Sequence, residues 1–252
     1  MKRGRAGSMQ GVVSKQAGKA QAVAADRQTP RRHRDLHGRR IGRPLSPVQA
    51  ELLTARLPAL RLNLSEPPPQ PLTRLFPVPV DDVWLEVGFG AGEHLLWQAQ
   101  ANPQIGFIGC EPFLNGVAKV LRGIDEAGLR TIRLYDDDAH HVLDWLPDGS
   151  LGRVFVLFPD PWPKKRHHKR RLLTTDGLGR LARVMRPGAE LRFATDITDY
   201  AKMVLEGIAG SRDFRDETGL LAERPADWPL TRYAEKAIAA GRDCRFFAFE
   251  RI

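Results

Sequence analysis

The residues able to do chemistry fall into a spaced series of carboxylates and a compact block of cations. Glu86, Glu111, Asp138 and Asp160 each stand at or just beyond the end of a short apolar run. Carboxylates held there can accept hydrogen bonds from ammonium groups, sugar hydroxyls and base amino groups. The cations are KKRHHKRR, Lys164 to Arg171, six Lys or Arg in eight residues. They directly follow Phe158-Pro-Asp-Pro-Trp162, so a lone acid and a flat ring precede a grip for a polyanion. Pro159 and Pro161 restrict φ and limit the residue before each to extended conformations, which predicts a fixed direction for Asp160. Trp162 offers a face on which a base can stack, typically worth about 1 to 3 kcal/mol. A carboxylate beside that ring can accept from N1–H and the N2 amino group of guanine together, which adenine and the pyrimidines do not offer.

Glu86-Val-Gly88-Phe-Gly90-Ala-Gly92 follows a predicted strand and opens a predicted helix, the setting in which a glycine-rich loop approaches a ligand closely. The spacing is GxGxG, and Glu93 stands where the dinucleotide fingerprint requires glycine. An anion at a helix N-terminus repels a pyrophosphate, so the loop predicts a cationic ligand without one. S-adenosylmethionine fits better than a nicotinamide dinucleotide: Glu86 faces its cationic groups, Glu111 its ribose hydroxyls and Asp138 its adenine amino group. Asp136 to Asp138 also read as a turn and helix N-cap, which at least one of them is expected to serve. His167, His168, His140 and His141 have no partner at metal-ligand spacing, and no metal is expected.

Composition bounds the setting. With 252 residues, 42% of them hydrophobic, the chain is large enough for one α/β core. Cys110 and Cys244 lie far apart with no ligand spacing, which predicts a reducing compartment. No apolar run approaches a membrane span and no leader pattern opens the chain, so a soluble cytoplasmic protein is expected, with no obligatory protein partner. Residues 1 to 44 carry 12 Lys or Arg against two acids, and the rest carries 27 against 28. Basicity is thus concentrated in the first segment and in the 164–171 run, which suggests a phosphate-rich partner.

Residues 1–35 read as a disordered basic arm. Residues 36–80 read as a helical and extended element, with a helix from an N-cap at Ser46 to Leu57, and 81–252 as the main domain. Strands are predicted at 83–87, 105–109, 131–135, 153–158, 189–195 and 244–250. Helices are predicted to begin near Glu93, Phe113, Ala139, Thr175 and Asp196. The alternation predicts an α/β fold, a doubly wound, mostly parallel sheet with ligands at the carboxyl ends of its strands.

The glycine loop with Glu86, then Glu111, Asp138, FPDPWPKKRHHKRR, Ala194-Thr-Asp196 and Thr231-Arg-Tyr233, in this order, resembles the bacterial tRNA (guanine-N7-)-methyltransferase family. The likeness spans about residues 38–252 and includes GRRIGRPLSPVQ from Gly38. It implies a Rossmann-like class I S-adenosylmethionine-dependent methyltransferase fold and transfer of a methyl group to N7 of the guanosine at position 46 of tRNA. It further implies that Glu86, Glu111, Asp138 and Asp160 are cofactor-site acids with Gly88, Gly90 and Gly92, and that Asp160 is catalytic. Lys164, Asp196, Thr231, Arg232, Tyr233 and Glu235 become substrate-binding positions, and Arg166, His167, His168, Lys169, Arg170 and Arg171 contact RNA. One position departs: the family's late motif is Thr-x-x-Glu, whereas Ala234 takes the fourth place here and Glu235 follows it. On a helix that displacement turns the carboxylate by about 100°.

Four other readings stay open on the residues alone. An N6-adenine methyltransferase would use an Asp-Pro-Pro-aromatic loop, a small-molecule methyltransferase would have no use for the basic run, a nicotinamide oxidoreductase would need glycine at 93, and a non-catalytic RNA-binding module would need neither glycine loop nor acid series.

Overall fold

The computed structural model describes residues 40–215, 220–221 and 223–252; the expected arm at 1–35 lies outside them. The first helix begins as its sequence predicts. The Ser46 hydroxyl accepts from the Gln49 N–H and the Gln49 side chain accepts from the Ser46 N–H, a reciprocal capping box. Helix α1 (Pro47–Glu51) widens into a π-helical turn, Leu52–Arg56, and narrows again as α2 (Leu57–Leu60). The wide turn precedes Pro58, which has no N–H to return to the carbonyl four residues back. The helical path therefore runs three residues beyond the expected end.

The main sheet is built from β1 (Asp82–Val87), β2 (Ile105–Cys110), β3 (Ile132–Tyr135), β4 (Leu151–Leu157), β5 (Met185–Thr195) and β8 (Arg245–Arg251), with two-residue pieces β6 (Phe214–Arg215) and β7 (Leu220–Leu221). Between them lie α3 (Glu93–Ala101), α4 (Leu114–Ala127), α5 (Ala139–Trp145), a 3₁₀ turn at Lys165–Arg170, α6 (Thr175–Val184), α7 (Thr198–Ala209) and α8 (Arg232–Ala239). The strand order is β3-β2-β1-β4-β5-β8-β6. The first five strands are parallel and β8 is antiparallel to β5. Both β6 and β7 pair with β8, whose other edge β5 covers. They are too short to leave a sequence pattern.

Alternation along the strands divides the core. Leu85, Ile108, Val154, Val156 and Phe193 face α5, α6 and α7, while Phe107 and Phe155 face α3, α4 and the Leu57–Leu60 turn. Phe107 and Phe155 are 0% exposed, each worth about 1.5–3 kcal/mol of burial. The 40–80 element shares both halves of this core, and Leu62 N–H bonds the Leu134 carbonyl at 2.9 Å alongside β3. The chain leaves β1 for β2 and β3 on one side and returns through β4 on the other. The carboxyl ends of β1 and β4 therefore flank the crevice where such sheets bind ligands.

Candidate active site

Every acid of the predicted series reaches this edge, Glu86 within β1, Glu111 after β2, Asp138 after β3 and Asp160 after β4, and Asp196, implied by the resemblance, follows β5. The glycine loop joins β1 to α3, with Gly88, Gly90 and Gly92 at φ 78°, 56° and 82°. Gly92 is also forced by packing, since a Cβ there would stand 2.0 Å from Val120 Cγ2. A Cβ on Gly88 or Gly90 would meet nothing within 4 Å, so that side of the loop faces open crevice.

Glu111 braces the loop. Its Oε2 accepts from Gly90 N–H at 2.8 Å and its Oε1 from Phe113 N–H at 2.9 Å. Burial pushes its carboxyl above the ordinary range; the two amides oppose this, and the nearby Asp160 and Glu86 carboxylates add to it. Acids so placed favour a cationic guest. Asp138 is the N-cap of α5 and accepts from His140 N–H at 3.0 Å and His140 Nδ1 at 2.7 Å, both on Oδ1. Burial works to raise its carboxyl, but the bonds from His140 hold it below the usual range. Asp136 and Asp137 are engaged differently: Arg61 meets Asp136 at 2.7 Å and Arg40 meets Asp137 at 3.2 Å.

The sequence reading did not single out His94. It is 2% exposed, and its Nδ1 lies 2.7 Å from Glu86 Oε2 and its Nε2 3.2 Å from Gln98 Nε2. The Gln98 amide is oriented by donating to the Asp227 carbonyl at 2.6 Å while its oxygen accepts from Asn102 at 3.1 Å. The amide nitrogen therefore donates to His94 Nε2, which must be bare, and Nδ1–H donates to Glu86. A neutral imidazole thus orients the Glu86 carboxylate. A histidine at the second position of a helix after a glycine loop carries no distinguishing sequence signal.

The Asp160 loop departs from its expected geometry at one end. Phe158 precedes Pro159, yet its φ is 49° instead of extended. Its N–H bonds the Ala194 carbonyl at 2.7 Å, and its ring packs 5.1 Å from Tyr233 and 6.2 Å from Phe246; these contacts override the proline preference. Trp162 has φ 42°. Arg170 lies over the Trp162 ring at 5.0 Å and His167 meets its edge at 6.0 Å. Asp160 is exposed and makes no hydrogen bond or ion pair among the described residues. Burial nevertheless pushes its carboxyl upward.

The basic run divides. Lys164, Lys165, Arg166 and Lys169 are exposed, Arg170 and His167 are half-buried, and His168 Nε2 lies 3.5 Å from Asp199. Arg171, expected to contact RNA, instead turns inward with its side chain 0% exposed, away from the surface that the exposed cations share. In the late segment, Thr231 caps α8 by accepting from Ala234 N–H. Asp196 accepts from Arg242 Nε at 2.6 Å and from the Tyr233 hydroxyl at 3.4 Å. Arg232 N–H bonds Glu93, while Ala234 is buried and Glu235 exposed. Burial pushes the Cys110 and Cys244 thiols up, against any thiolate role. Among the described residues no group of three or more His, Cys, Asp or Glu could hold a metal, and no helix is long and apolar enough to cross a membrane.

A family model described as a putative methyltransferase matches residues 81–246. Three relatives named tRNA (guanine-N(7)-)-methyltransferase are similar over most of the chain. That of Brucella melitensis is 47% identical over 86% of this chain and 94% of its own length. That of Rhizobium johnstonii is 46% identical over 85% and 94%, and that of Rhodopseudomonas palustris 44% over 88% and 90%. Among solved structures, the 16S rRNA methyltransferase KamB superposes with a TM-score of 0.52 at 17% identity over 69% of this chain and 89% of that one. TrmN from Thermus thermophilus does so at 0.51 and 17% over 73% and 48%. These structures carry the fold, a Rossmann-like methyltransferase sheet. With the acids and open glycine loop at its carboxyl edge, and relatives alike over nearly their full lengths, the chain belongs to the tRNA (guanine-N7-)-methyltransferase family.

Proposed function

We propose that this protein transfers a methyl group from S-adenosylmethionine to N7 of a guanosine in tRNA, at position 46 of the variable loop. The observation that carries the reading is the placement of Asp160. It follows β4 at the same carboxyl edge of the sheet as Glu86 and Glu111, and its loop runs straight into the exposed cations Lys164, Lys165, Arg166 and Lys169. An acid of the cofactor crevice is thereby adjacent to a phosphate-binding surface. The substrates in the relatives' names agree with this pairing.

The open side of Gly88 and Gly90 and the carboxylates of Glu86, Glu111 and Asp138 would hold the cofactor. When bound, it supplies a methyl group on a cationic sulfur. Glu86, oriented by His94, faces positive charge, and Glu111 keeps lone pairs for ribose hydroxyls beyond the two it gives to backbone amides. Guanine N7 carries a free lone pair, so no protein group need remove a proton. Asp160 instead accepts from the Watson–Crick edge and aligns the base, and its negative charge supports a ring that becomes cationic. Lys164, Arg166 and Lys169 hold phosphates, and Tyr233, whose hydroxyl donates to Asp196, packs against the Phe158 ring.

The test is incubation of unmodified bulk tRNA with labelled S-adenosylmethionine, followed by nucleoside digestion. The expected product is N7-methylguanosine. Another methylated nucleoside, or label confined to small molecules, overturns the proposal.

A further inference from the structure

The loop that carries Asp160 cannot hold itself in place. Phe158-Pro-Asp-Pro-Trp-Pro163 contains three prolines, hence three positions without a backbone donor. It is bounded by Phe158 and Trp162, the two non-glycine residues with positive φ among the described residues. Such conformations persist where the surroundings over-determine them. At the first end the surroundings are Ala194, Tyr233 and Phe246, as described above. Next to the second end stands Arg171.

The Arg171 guanidinium is spread across four partners, Nη1 lying 3.8 Å from Met203 Sδ. Nε donates to the Pro161 carbonyl at 2.9 Å, Nη2 donates to Asp199 Oδ2 at 2.6 Å, and the plane lies 4.6 Å from the Tyr200 ring centroid. A guanidinium can serve two divergent acceptors while stacking; an ammonium at the end of a flexible stem cannot reproduce that set. Arg170 lies over the face of Trp162, so consecutive arginines hold adjacent loop residues, one from the surface and one from the interior.

We propose that Arg171 is a positioning residue, latching the Pro161 carbonyl and thereby fixing Asp160 at the crevice, with Asp199 holding the latch. This inference rests on the alignment role assigned to Asp160 above, and the experiment separates the two. Arg171→Met, Asp160→Asn and the double variant are compared by single-turnover methyl transfer to tRNA at saturating cofactor. Cofactor affinity and the salt dependence of tRNA binding are measured alongside. Displacing an aligning group by about 1 Å costs about 100-fold, so Arg171→Met is expected to lose about 30- to 100-fold in rate. Its cofactor affinity and salt slope should match wild type, which neither general destabilisation nor a lost RNA contact would produce. In the Asp160→Asn background the same change should cost only a few fold more, because both act through one group.

Wild-type rate in Arg171→Met beside a slow Asp160→Asn overturns the latch alone. So do multiplicative losses in the double variant, or a flattened salt slope. Wild-type rate in Asp160→Asn removes the alignment role, and the latch with it. If Arg171→Met does not fold, Asp199→Asn at the half-exposed end of the pair carries the test; it should show a smaller loss with the same pattern, and wild-type behaviour there overturns the latch.

Discussion

The Glu93 carboxylate accepts a hydrogen bond at 3.2 Å from the backbone N–H of Arg232, 139 residues further along the chain. Arg232 is the first residue of α8, and its N–H is one of the donors that a helix start leaves without an internal partner. Thr231 satisfies another by accepting from Ala234. In a Thr-x-x-Glu capping box the carboxylate of the fourth residue would accept from the Thr231 N–H; here Ala234 occupies that place, and a carboxylate from α3 accepts from the next N–H, that of Arg232. Gln98 of the same helix donates to the Asp227 carbonyl at 2.6 Å. The glycine-loop helix and the segment bearing Thr231, Arg232 and Tyr233 are thus joined at two points.

Glu93→Ala should therefore act on α8 more than on the cofactor. Loss of a cap and of the charge–dipole term costs about 1 kcal/mol. For a protein of this size that corresponds to roughly 2–4 °C in melting temperature. Calorimetry with and without S-adenosylmethionine checks it: the shift should be similar in both, and a large loss of cofactor affinity would place Glu93 in the cofactor site instead.

His94→Phe keeps a ring against Phe155, which His94 meets at 4.6 Å, but removes the donor to Glu86. A hydrogen bond in which the acceptor is a charged carboxylate is worth about 1.5–3 kcal/mol. Cofactor affinity should fall by about 10- to 100-fold in titration calorimetry. Unchanged affinity would show that Glu86 needs no orientation by the imidazole.

Much of this site was legible because strand ends leave strong traces. The apolar runs before Glu86, Glu111 and Asp160 read directly, and an N-cap read somewhere among Asp136 to Asp138 because helix starts have side-chain rules; the structure assigns it to Asp138. Arg171 and His94 did not read. A run of cations does not say which member turns inward, and that depends on where α7 places Asp199 and Tyr200. Phe158 misled because a local proline rule gave way to contacts with Ala194, Tyr233 and Phe246, distant in sequence. Ala234 and Glu235 showed that the late motif departs from the family's, but only the fold shows that Glu93 reaches the same helix start.

The raised carboxyl of Glu111 makes stability and ligand binding respond oppositely to pH. Without ligand, ionisation costs the folded state more than the unfolded chain. The contribution to stability is therefore full below the ordinary Glu value of about 4.3 and is lost as pH rises through the raised value. Asp160 acts in the same sense. A cationic cofactor favours the ionised forms, so the thermal stabilisation it confers should grow as pH rises across that window. Melting curves from about pH 5 to 7.5, at fixed cofactor concentration, should show this growth, flattened in Glu111→Ala. A pH-independent gain in wild type would remove Glu111 from cofactor binding.

Replacing Lys164, Lys165, Arg166 and Lys169 with Gln should weaken tRNA binding and flatten its salt dependence. Each lost phosphate contact removes about 0.7 to 0.9 from the log–log slope. Cofactor affinity should not change, because these side chains are exposed beyond the crevice. Filter binding at several salt concentrations reads the slope, and an unaltered value would return the run to a solvated loop.

Asp160→Asn tests the chemical role most directly, because it keeps the side chain's size while replacing one acceptor with a donor. The carboxylate makes no hydrogen bond or ion pair within the described protein, so the change should leave the loop standing between Phe158 and Trp162 and the melting temperature nearly unaltered. Facing the N1–H and N2 donors of guanine, however, an amide donor opposes the pairing that two carboxylate oxygens allow. Taking the base out of its stack costs a few kcal/mol. The phosphate grip can still offset that cost, so tRNA affinity should remain within a few fold. Alignment of N7 should not survive, and the single-turnover rate should fall at least about 100-fold, or about 2.7 kcal/mol of barrier. Because no proton is removed from N7, the residual rate should show no new pH dependence. A variant that methylates at near wild-type rate would leave Asp160 as a surface acid whose position at the carboxyl edge of the sheet has no part in the reaction.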